Sequence, residues 1–334
     1  MLIPFAIDAD SLTPDPGWTP AQLHQYHLSL LDIWRRIGLL VHDADTFDHS
    51  RLNSAIQRLP QKIRPLWLDM LEHSPPRKCG ANWDGSITNN TVPMLKHDTE
   101  VVLVDDTCAE IEFGLPDDEL SQVVAGVPEI ELCRLAAAAQ SKTFENALNI
   151  AESYIEPRTT FREIWKERFL TLAKAPIKRV SVVDRYAVSQ HFNCPQSRLS
   201  GLERFLRLLD DDADGARNVT LFSGWSAELH QQTMPDIEAE LQMVLRRLRQ
   251  KRIKQLKIIM VPNAVFGSLS HDRFIRFENY VWDIGLGLKV FEGAFAAERS
   301  SASFKTGSVS KAGYKKVEDE LTEHNEAKQA TVLP

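Results

Sequence analysis

Short apolar runs alternate with amphipathic helical segments along most of this chain, and this alternation constrains the fold more than any other feature. Ile3–Ala9 and the run VVLV at 101–104 have the length and composition of buried strands, and acidic residues follow closely. Residues 20–37 carry apolar side chains at helical spacing. Alternating strands and helices favour a parallel or mixed sheet flanked by helices, so we expect an α/β protein.

The length of 334 residues predicts two domains, because single domains commonly span about 100–200 residues. The charge distribution supports a boundary near residue 176. Residues 1–175 contain 16 basic and 26 acidic side chains, whereas residues 176–300 contain 18 basic and 15 acidic ones. Residues 301–334 lose the apolar pattern. We therefore predict an acidic α/β domain at 1–175, a second α/β domain at 176–300 and a flexible polar tail at 301–334.

Several protein classes are disfavoured by what the sequence lacks. It has no run of about 18 apolar residues, so we expect no transmembrane helix. Its first residues lack the basic region of a secretory signal peptide. The cysteines at 79, 108, 133 and 194 are scattered and show no zinc-type spacing. We therefore expect a reduced, cytoplasmic protein.

His271, Arg273 and Glu278 lie in a segment that predicts a strand, a turn and a second strand. On a strand, the side chains of His271 and Arg273 project from the same face, about 6.8 Å apart. An imidazole can attack or protonate a phosphoester oxygen, and a neighbouring cation stabilises the charge that develops on the phosphate. The pattern therefore indicates a site for phosphate chemistry.

This segment resembles the phospholipase D superfamily, whose signature is H-x-K, four residues, D, six residues and then G-S-x-N. His271 matches the histidine, Arg273 stands in the place of the lysine, and Glu278 stands in the place of the aspartate. The turn Gly285–Leu288 follows at the same spacing, with leucines in place of the serine and asparagine. The spacing is kept throughout, and the residue types are kept in part.

The surrounding sequence extends the resemblance over about residues 176–296. The run VVDRY at 182–186 is similar to the opening strand of phospholipase-D-like domains, and the later helices and strands follow in the same order. The segment is also similar to the phospholipase-D-like C-terminal domain of eukaryotic MIT-domain proteins and to bacterial relatives.

The resemblance implies a phospholipase-D-like domain in which His271, Arg273 and Glu278 are catalytic, Gly285 and Gly287 bind phosphate, and no metal is needed. Superfamily catalysis uses two such motifs and this chain has one, so a catalytic form would be a homodimer. In the eukaryotic relatives the domain resembles a binding module for acidic phospholipids. The alternative is therefore a site that binds an anion without catalysis.

A second basic feature places seven cations within residues 246–257. We expect this cluster at the end of a long helix spanning 235–255. Cations are favoured near a helix C-terminus, so a solvated helix face is one interpretation. The other is an electrostatic track for the phosphates of nucleic acid or anionic lipid, with Arg246, Arg247 and Arg249 as contacts.

Acidic residues follow two of the predicted strands, Asp8 and Asp10 after the first and Asp105 and Asp106 after a later one. The carboxyl ends of neighbouring strands converge in one crevice of an open α/β sheet. Oxygen ligands suit Mg²⁺ or Mn²⁺, which can hold the reacting oxygens of a phosphodiester. This pattern is similar to PIN-type nucleases. The alternative is that these acids are loop residues or helix caps.

These features together predict a nucleic-acid-directed phosphodiesterase, a nuclease-like effector of bacterial defence or of a mobile element, acting on DNA or RNA. The first alternative is a non-catalytic subunit that binds the phosphate of a nucleic acid or of an acidic lipid head group and also binds a protein partner. The second is a self-associating scaffold.

Overall fold

A computed structural model describes most of the chain, which separates into two compact units. We call Leu2–Asn149 the N-terminal unit, and Ile150–Pro334 together with Met1 the C-terminal unit. The residues that it does not describe are 13–17, 125, 128, 196, 226–228, 230–231, 271–272 and 307, with the side chains of 308–312.

The N-terminal unit is built on one six-stranded sheet, in the order β3-β2-β1-β4-β6-β5. Its strands are β1 (Ile3–Ile7), β2 (Gly38–His42), β3 (Arg77–Lys78), β4 (Val101–Val104), β5 (Ser121–Val123) and β6 (Glu131–Arg134). The helices that begin in this unit are α1 (Pro20–Ile37), α2 (Arg51–Arg58), α3 (Arg64–His73), α4 (Val92–Leu95), α5 (Asp106–Ile111) and α6 (Lys142–Ala151). All neighbouring strands are parallel except β5 and β6. The strand order reverses between β1 and β4, where open α/β sheets commonly place a ligand.

Helix α1 shows how local sequence fixes an element of this unit. The Gln22 amide N–H donates to the Thr19 hydroxyl, and the Gln22 side-chain oxygen accepts from the Thr19 N–H at 2.9 Å. Pro20 occupies the first turn, where its missing N–H costs nothing. The helix ends at Ile37, and a side chain on Gly38 would collide with the Phe5 ring and the α1 backbone. The predicted start and end of this helix are confirmed.

The C-terminal unit is built on a seven-stranded mixed sheet, in the order β12-β11-β10-β7-β8-β9-β13. Its strands are β7 (Arg179–Val183), β8 (Arg217–Trp225), β9 (Ile253–Pro262), β10 (Phe274–Phe277), β11 (Tyr280–Ile284), β12 (Ala302–Thr306) and β13 (Lys328–Val332). Its helices are α7 (Phe161–Arg168), α8 (Leu170–Lys174), α9 (Ala187–Asn193), α10 (Gly201–Asp212), α11 (Met234–Arg246), α12 (Asn263–Leu269) and α13 (Ser308–Glu323). Strands β7, β8 and β9 are parallel, and the other neighbours pair antiparallel. Both units are α/β, as the sequence predicts.

The two faces of this second sheet are covered by different helices. On one face Phe169, between α7 and α8, packs its ring against Phe205 of α10, Phe291, Trp282 and Phe277. On the other face the apolar side chains of the sheet pack against α12 and α13. The sheet is therefore buried on both sides.

The boundary between the units lies about one helix pair earlier than the predicted 175/176. Helices α7 and α8 belong to the C-terminal unit because Trp165 and Phe169 pack against its aromatic core. The backbone of Ile155 also bridges to Ser300. The sequence predicts a helix over residues 129–155, but Glu131–Arg134 forms strand β6 and α6 begins only at Lys142.

Residues 301–334 are not the predicted flexible tail, because they complete both edges of the second sheet. Strand β12 pairs with β11, β13 pairs with β9, and α13 lies between them in the chain. On α13, Val317, Glu318 and Leu321 share one face, which packs on the sheet. Arg276 of β10 forms a largely buried ion pair with Glu318, with Nε to Oε1 at 2.7 Å. These partners are far away in sequence, so the composition of the segment alone does not reveal them.

Candidate anion-binding crevice

The carboxyl ends of β7, β8 and β9 meet at one edge of the second sheet, because these three strands are parallel. Directly after β7 come Asp184, Arg185 and Tyr186. On the other side of β7, Arg273 immediately precedes the antiparallel strand β10 at the same edge. We call this group of charged and aromatic side chains the crevice, because open α/β sheets commonly bind ligands at the carboxyl ends of their strands.

Asp184 lies at the base of the crevice and is 2% exposed. Its carboxylate accepts the N–H of Leu288 at 2.8 Å and the N–H of Tyr186 at 3.0 Å. Burial raises the pKa of this carboxyl, and the two backbone N–H groups and the charge of Arg273 oppose the rise. Through these hydrogen bonds the Asp184 side chain connects the turn after β7 with the loop Gly285–Leu288.

Gly287 allows that close approach. Its φ angle is +57°, and a Cβ at this position would collide with the Asp184 carboxylate. The sequence predicts Gly285 and Gly287 as phosphate-binding residues. The structure gives Gly287 a role in shaping the crevice wall and leaves Gly285 exposed beside Ser301.

Arg185 and Arg273 both place their guanidinium groups against the ring of Tyr186. The Cζ atoms lie 5.4 Å and 5.3 Å from the ring centre. The Nε of Arg185 donates to Asn263 Oδ1 at 3.1 Å, which fixes the direction of that side chain. Both arginines are half-buried, and within the described residues neither forms an ion pair. They hold positive charge at a partly desolvated surface.

The predicted group of His271, Arg273 and Glu278 is only partly placed by the structure. His271 lies outside the described residues, and the strand that follows is shorter than predicted and begins at Phe274. Glu278 lies at the opposite end of β10 from Arg273, roughly 16 Å away along the strand. Its carboxylate accepts the N–H of Lys178 at 3.1 Å. Glu278 therefore does not act beside Arg273, since a four-residue strand separates them.

The basic cluster at 246–257 is also placed differently from the prediction. Helix α11 ends at Arg246, and β9 begins at Ile253, so Arg247 and Arg249 lie in the connecting turn. This turn is at the amino end of β9, whereas the crevice is at its carboxyl end. The cluster therefore lies on the opposite edge of the sheet from Arg273.

In the N-terminal unit, Asp8 and Asp105 lie at the point where the strand order reverses. The Asp8 carboxylate accepts from the Ile87 N–H at 3.1 Å and the Ser11 hydroxyl at 3.0 Å. The same Ser11 oxygen accepts the N–H of Asp105 at 2.8 Å. Burial raises the pKa of Asp8, and the nearby charge of Asp105 adds to the rise. Asp105 itself caps α5 by accepting the Cys108 N–H.

The other two predicted metal ligands are paired with arginines. Asp10 pairs with Arg51 beside a cavity of about 370 Å³. Asp106 pairs with Arg134 at 2.9 Å. In the described part of the chain, no group of three or more His, Cys, Asp or Glu side chains is arranged to hold a metal ion. Asp10 and Asp106 are thus already paired with arginines, and binding of Mg²⁺ or Mn²⁺ at the four carboxylates stays a prediction.

A larger cavity of about 810 Å³ lies on the far side of the loop that contains Leu286. Phe161 and Arg204 line it, with the Arg204 guanidinium 4.1 Å from the Phe161 ring centre. Phe295 at its rim is 52% exposed. This cavity was not predictable from the sequence, because its walls come from three separated segments.

Neither a protein-family model nor a curated protein matches this chain. Among solved structures, that of TrmBL2, an archaeal chromatin protein described as showing a novel mode of DNA binding, aligns at 12% identity with a TM-score of 0.26. The alignment covers 56% of this chain and 63% of that chain, which is less than two thirds of its length. No helix in the described ranges is both long enough and apolar enough to cross a bilayer.

The residues that sequence reasoning missed as site residues are Asp184, Arg185, Tyr186 and Asn263. The signal for the first three is the run VVDRY, in which a buried strand ends in charged residues at a carboxyl edge. Asn263 carries no such signal, since it matters only through its contact with Arg185.

Proposed function

We propose that this protein binds the phosphodiester backbone of a nucleic acid and that the crevice of the C-terminal unit holds a phosphate. One observation carries the proposal: Arg185 and Arg273 lie on one aromatic ring, and neither forms an ion pair with a described residue. Other half-buried arginines of the unit are satisfied internally, as Arg276 is by Glu318.

Guanidinium groups suit this ligand for two reasons. They present several N–H donors in one plane, which match the oxygens of a phosphate, and they are weakly hydrated compared with ammonium groups. The Asp184 carboxylate near Arg273 is buried and already accepts two N–H groups. Among these described residues, two half-buried guanidinium groups therefore stand beside one buried carboxylate.

Cleavage of the bound phosphodiester is a second candidate function. It is favoured by the place of Arg273 in the crevice, because His271 precedes it by two residues in the motif that resembles the phospholipase D superfamily. Since the chain has one such motif, cleavage would use two chains, each supplying one His271. A site confined to phosphate binding has no such requirement.

The test of binding compares the full-length protein with Arg185→Ala/Arg273→Ala by fluorescence anisotropy on short single-stranded and duplex DNA and RNA. We expect at least about tenfold weaker binding, because each lost charge-assisted hydrogen bond is worth about 1.5–3 kcal/mol. The slope of log affinity against log salt should also become shallower by roughly two units on duplex DNA. Lys315→Ala/Lys316→Ala is the matched control, since these lysines of α13 pair with Asp319 and Glu320.

Unchanged affinity and salt slope in the arginine variant, with normal circular dichroism, would refute the crevice as the phosphate site. Binding to anionic phospholipid vesicles in preference to nucleic acid would redirect the proposal to lipid head groups.

A parallel digestion panel with Mg²⁺, Mn²⁺ or EDTA tests cleavage. Cleavage that persists in EDTA and disappears in His271→Ala supports the second function, whereas cleavage lost only in Asp8→Ala/Asp105→Ala points to the N-terminal unit.

A further inference from the structure

The edge of the second sheet opposite the crevice carries a separate group of exposed cations, which we call the basic edge. They come from the starts of β7 and β9 and from the turn between α11 and β9. Its members are Lys178, Arg179, Arg246, Arg247, Arg249, Arg252 and Lys254. Within the described ranges, no member forms an ion pair. A phosphate backbone is the polyanion that such a surface fits.

The turn that carries these cations is held from inside the fold. Asp210 at the end of α10 is fully buried, and its carboxylate accepts the N–H of Gln250 at 2.7 Å and the N–H of Arg252 at 2.6 Å. Lys251 has a φ angle of +54°, and its ammonium group donates to the carbonyl of Leu245 at 3.1 Å. The backbone of the turn is therefore fixed, while Arg247, Arg249 and Arg252 stay exposed.

Five acids, counting the buried Asp210, lie near the same edge and reduce its charge without cancelling it. Asp212 accepts the Trp165 indole N–H at 2.7 Å, and Glu278 accepts the Lys178 N–H. Asp211 and Asp214 are exposed at the end of α10 and in the turn that follows. The described residues place seven exposed cations and five carboxylates near this edge, so the basic edge keeps a net positive charge.

The basic edge and the crevice lie at opposite ends of β9, which is ten residues long. At the usual rise per residue, Arg179 at the start of β7 is roughly 17 Å from the crevice, and the separation along β9 reaches roughly 30 Å. Helices cover both faces of the sheet between the two ends. Duplex DNA has a persistence length of about 150 base pairs, so one short straight segment cannot follow such a path. We propose that the C-terminal unit binds two separate duplex segments, one at each edge, and thereby bridges them.

This inference rests on the proposed function only for the duplex that is bound at the crevice. The experiment immobilises one short DNA duplex, adds the full-length protein at low salt, and measures recruitment of a second, fluorescently labelled duplex. We expect recruitment by the unchanged protein. Arg185→Ala/Arg273→Ala and Arg246→Glu/Arg249→Glu should each still bind the immobilised duplex but recruit at least about tenfold less of the second one.

The neutral variant Arg246→Gln/Arg249→Gln guards against misfolding caused by charge reversal, and Lys315→Ala/Lys316→Ala should recruit normally. Recruitment that survives in either site variant would overturn bridging by two edges, because a dimer that uses the same site twice gives that result. Binding without recruitment by the unchanged protein overturns bridging and leaves the proposed function standing. If the basic-edge variant loses all binding while the crevice variant binds normally, both the bridging and the proposed function of the crevice are overturned.

Discussion

His27 is a buried, uncharged histidine in the N-terminal unit. It is 2% exposed, and its Nδ1 accepts the indole N–H of Trp67 at 3.2 Å. Burial, with a smaller contribution from His24, lowers the pKa of His27 from 6.5 to about 4. The unfolded chain therefore binds more protons than the folded chain between these two values.

A pH dependence of stability follows from this difference. The contribution of His27 is fully present above pH 6.5 and is lost as the pH falls towards about 4, up to about 3 kcal/mol. His27→Gln keeps an acceptor for Trp67 and removes the titration. Urea-dependent hydrogen exchange of the α1 amides should show less loss of stability in this variant over that range. Equal losses in both proteins would contradict the assignment.

The ion pair between Arg276 of β10 and Glu318 of α13 shows that α13 is part of the fold rather than of a flexible tail. Both partners are largely buried, with side chains 12% and 8% exposed. Arg276 also donates to the carbonyl of Glu278 at 2.8 Å. Removing Glu318 would leave a buried cation without its partner, and such losses cost about 3–5 kcal/mol.

We therefore expect Glu318→Ala to lower the free energy of unfolding of the C-terminal unit by about 3 kcal/mol. The matched control is Asp319→Ala, which breaks the exposed pair with Lys315 on the same helix and should cost about 0–1 kcal/mol. Chemical denaturation followed by circular dichroism measures both. If Glu318→Ala costs as little as Asp319→Ala, α13 contributes little to the stability of the sheet.

Elements whose determinants are local were predictable from the sequence, and those fixed by distant partners were not. Helix α1 has its cap at Thr19 and its stop at Gly38, so both ends agree with the prediction. Strand β6 was missed because the short run Glu131–Arg134 becomes a strand by pairing with β4 and β5. In the crevice, Arg273 was predicted as a site residue, whereas Asp184 was not, because its role depends on Leu288 more than 100 residues away.

The division of the whole molecule makes a prediction about fragments. Residues 150–334 contain α7 and α8, whose Trp165 and Phe169 pack in the aromatic core of the second sheet. A fragment of 150–334 should fold with sharp, dispersed amide signals in NMR. A fragment of 176–334 should lose them, because it lacks two large core side chains that each contribute several kcal/mol. If the fragment 176–334 folds by itself, the boundary between the two units lies near Pro176 instead.

The hydrogen bond from Leu288 to Asp184 joins residues 104 positions apart and so sets when the crevice is completed during synthesis. A nascent chain can form the turn after β7 early, but the facing wall of the crevice is made much later. Long-range contacts of this kind form slowly because their loop-closure entropy must be overcome first. A ribosome-bound chain therefore completes the crevice only after residue 288 has left the exit tunnel. A chain released before that point lacks the wall that Leu288 forms with Asp184.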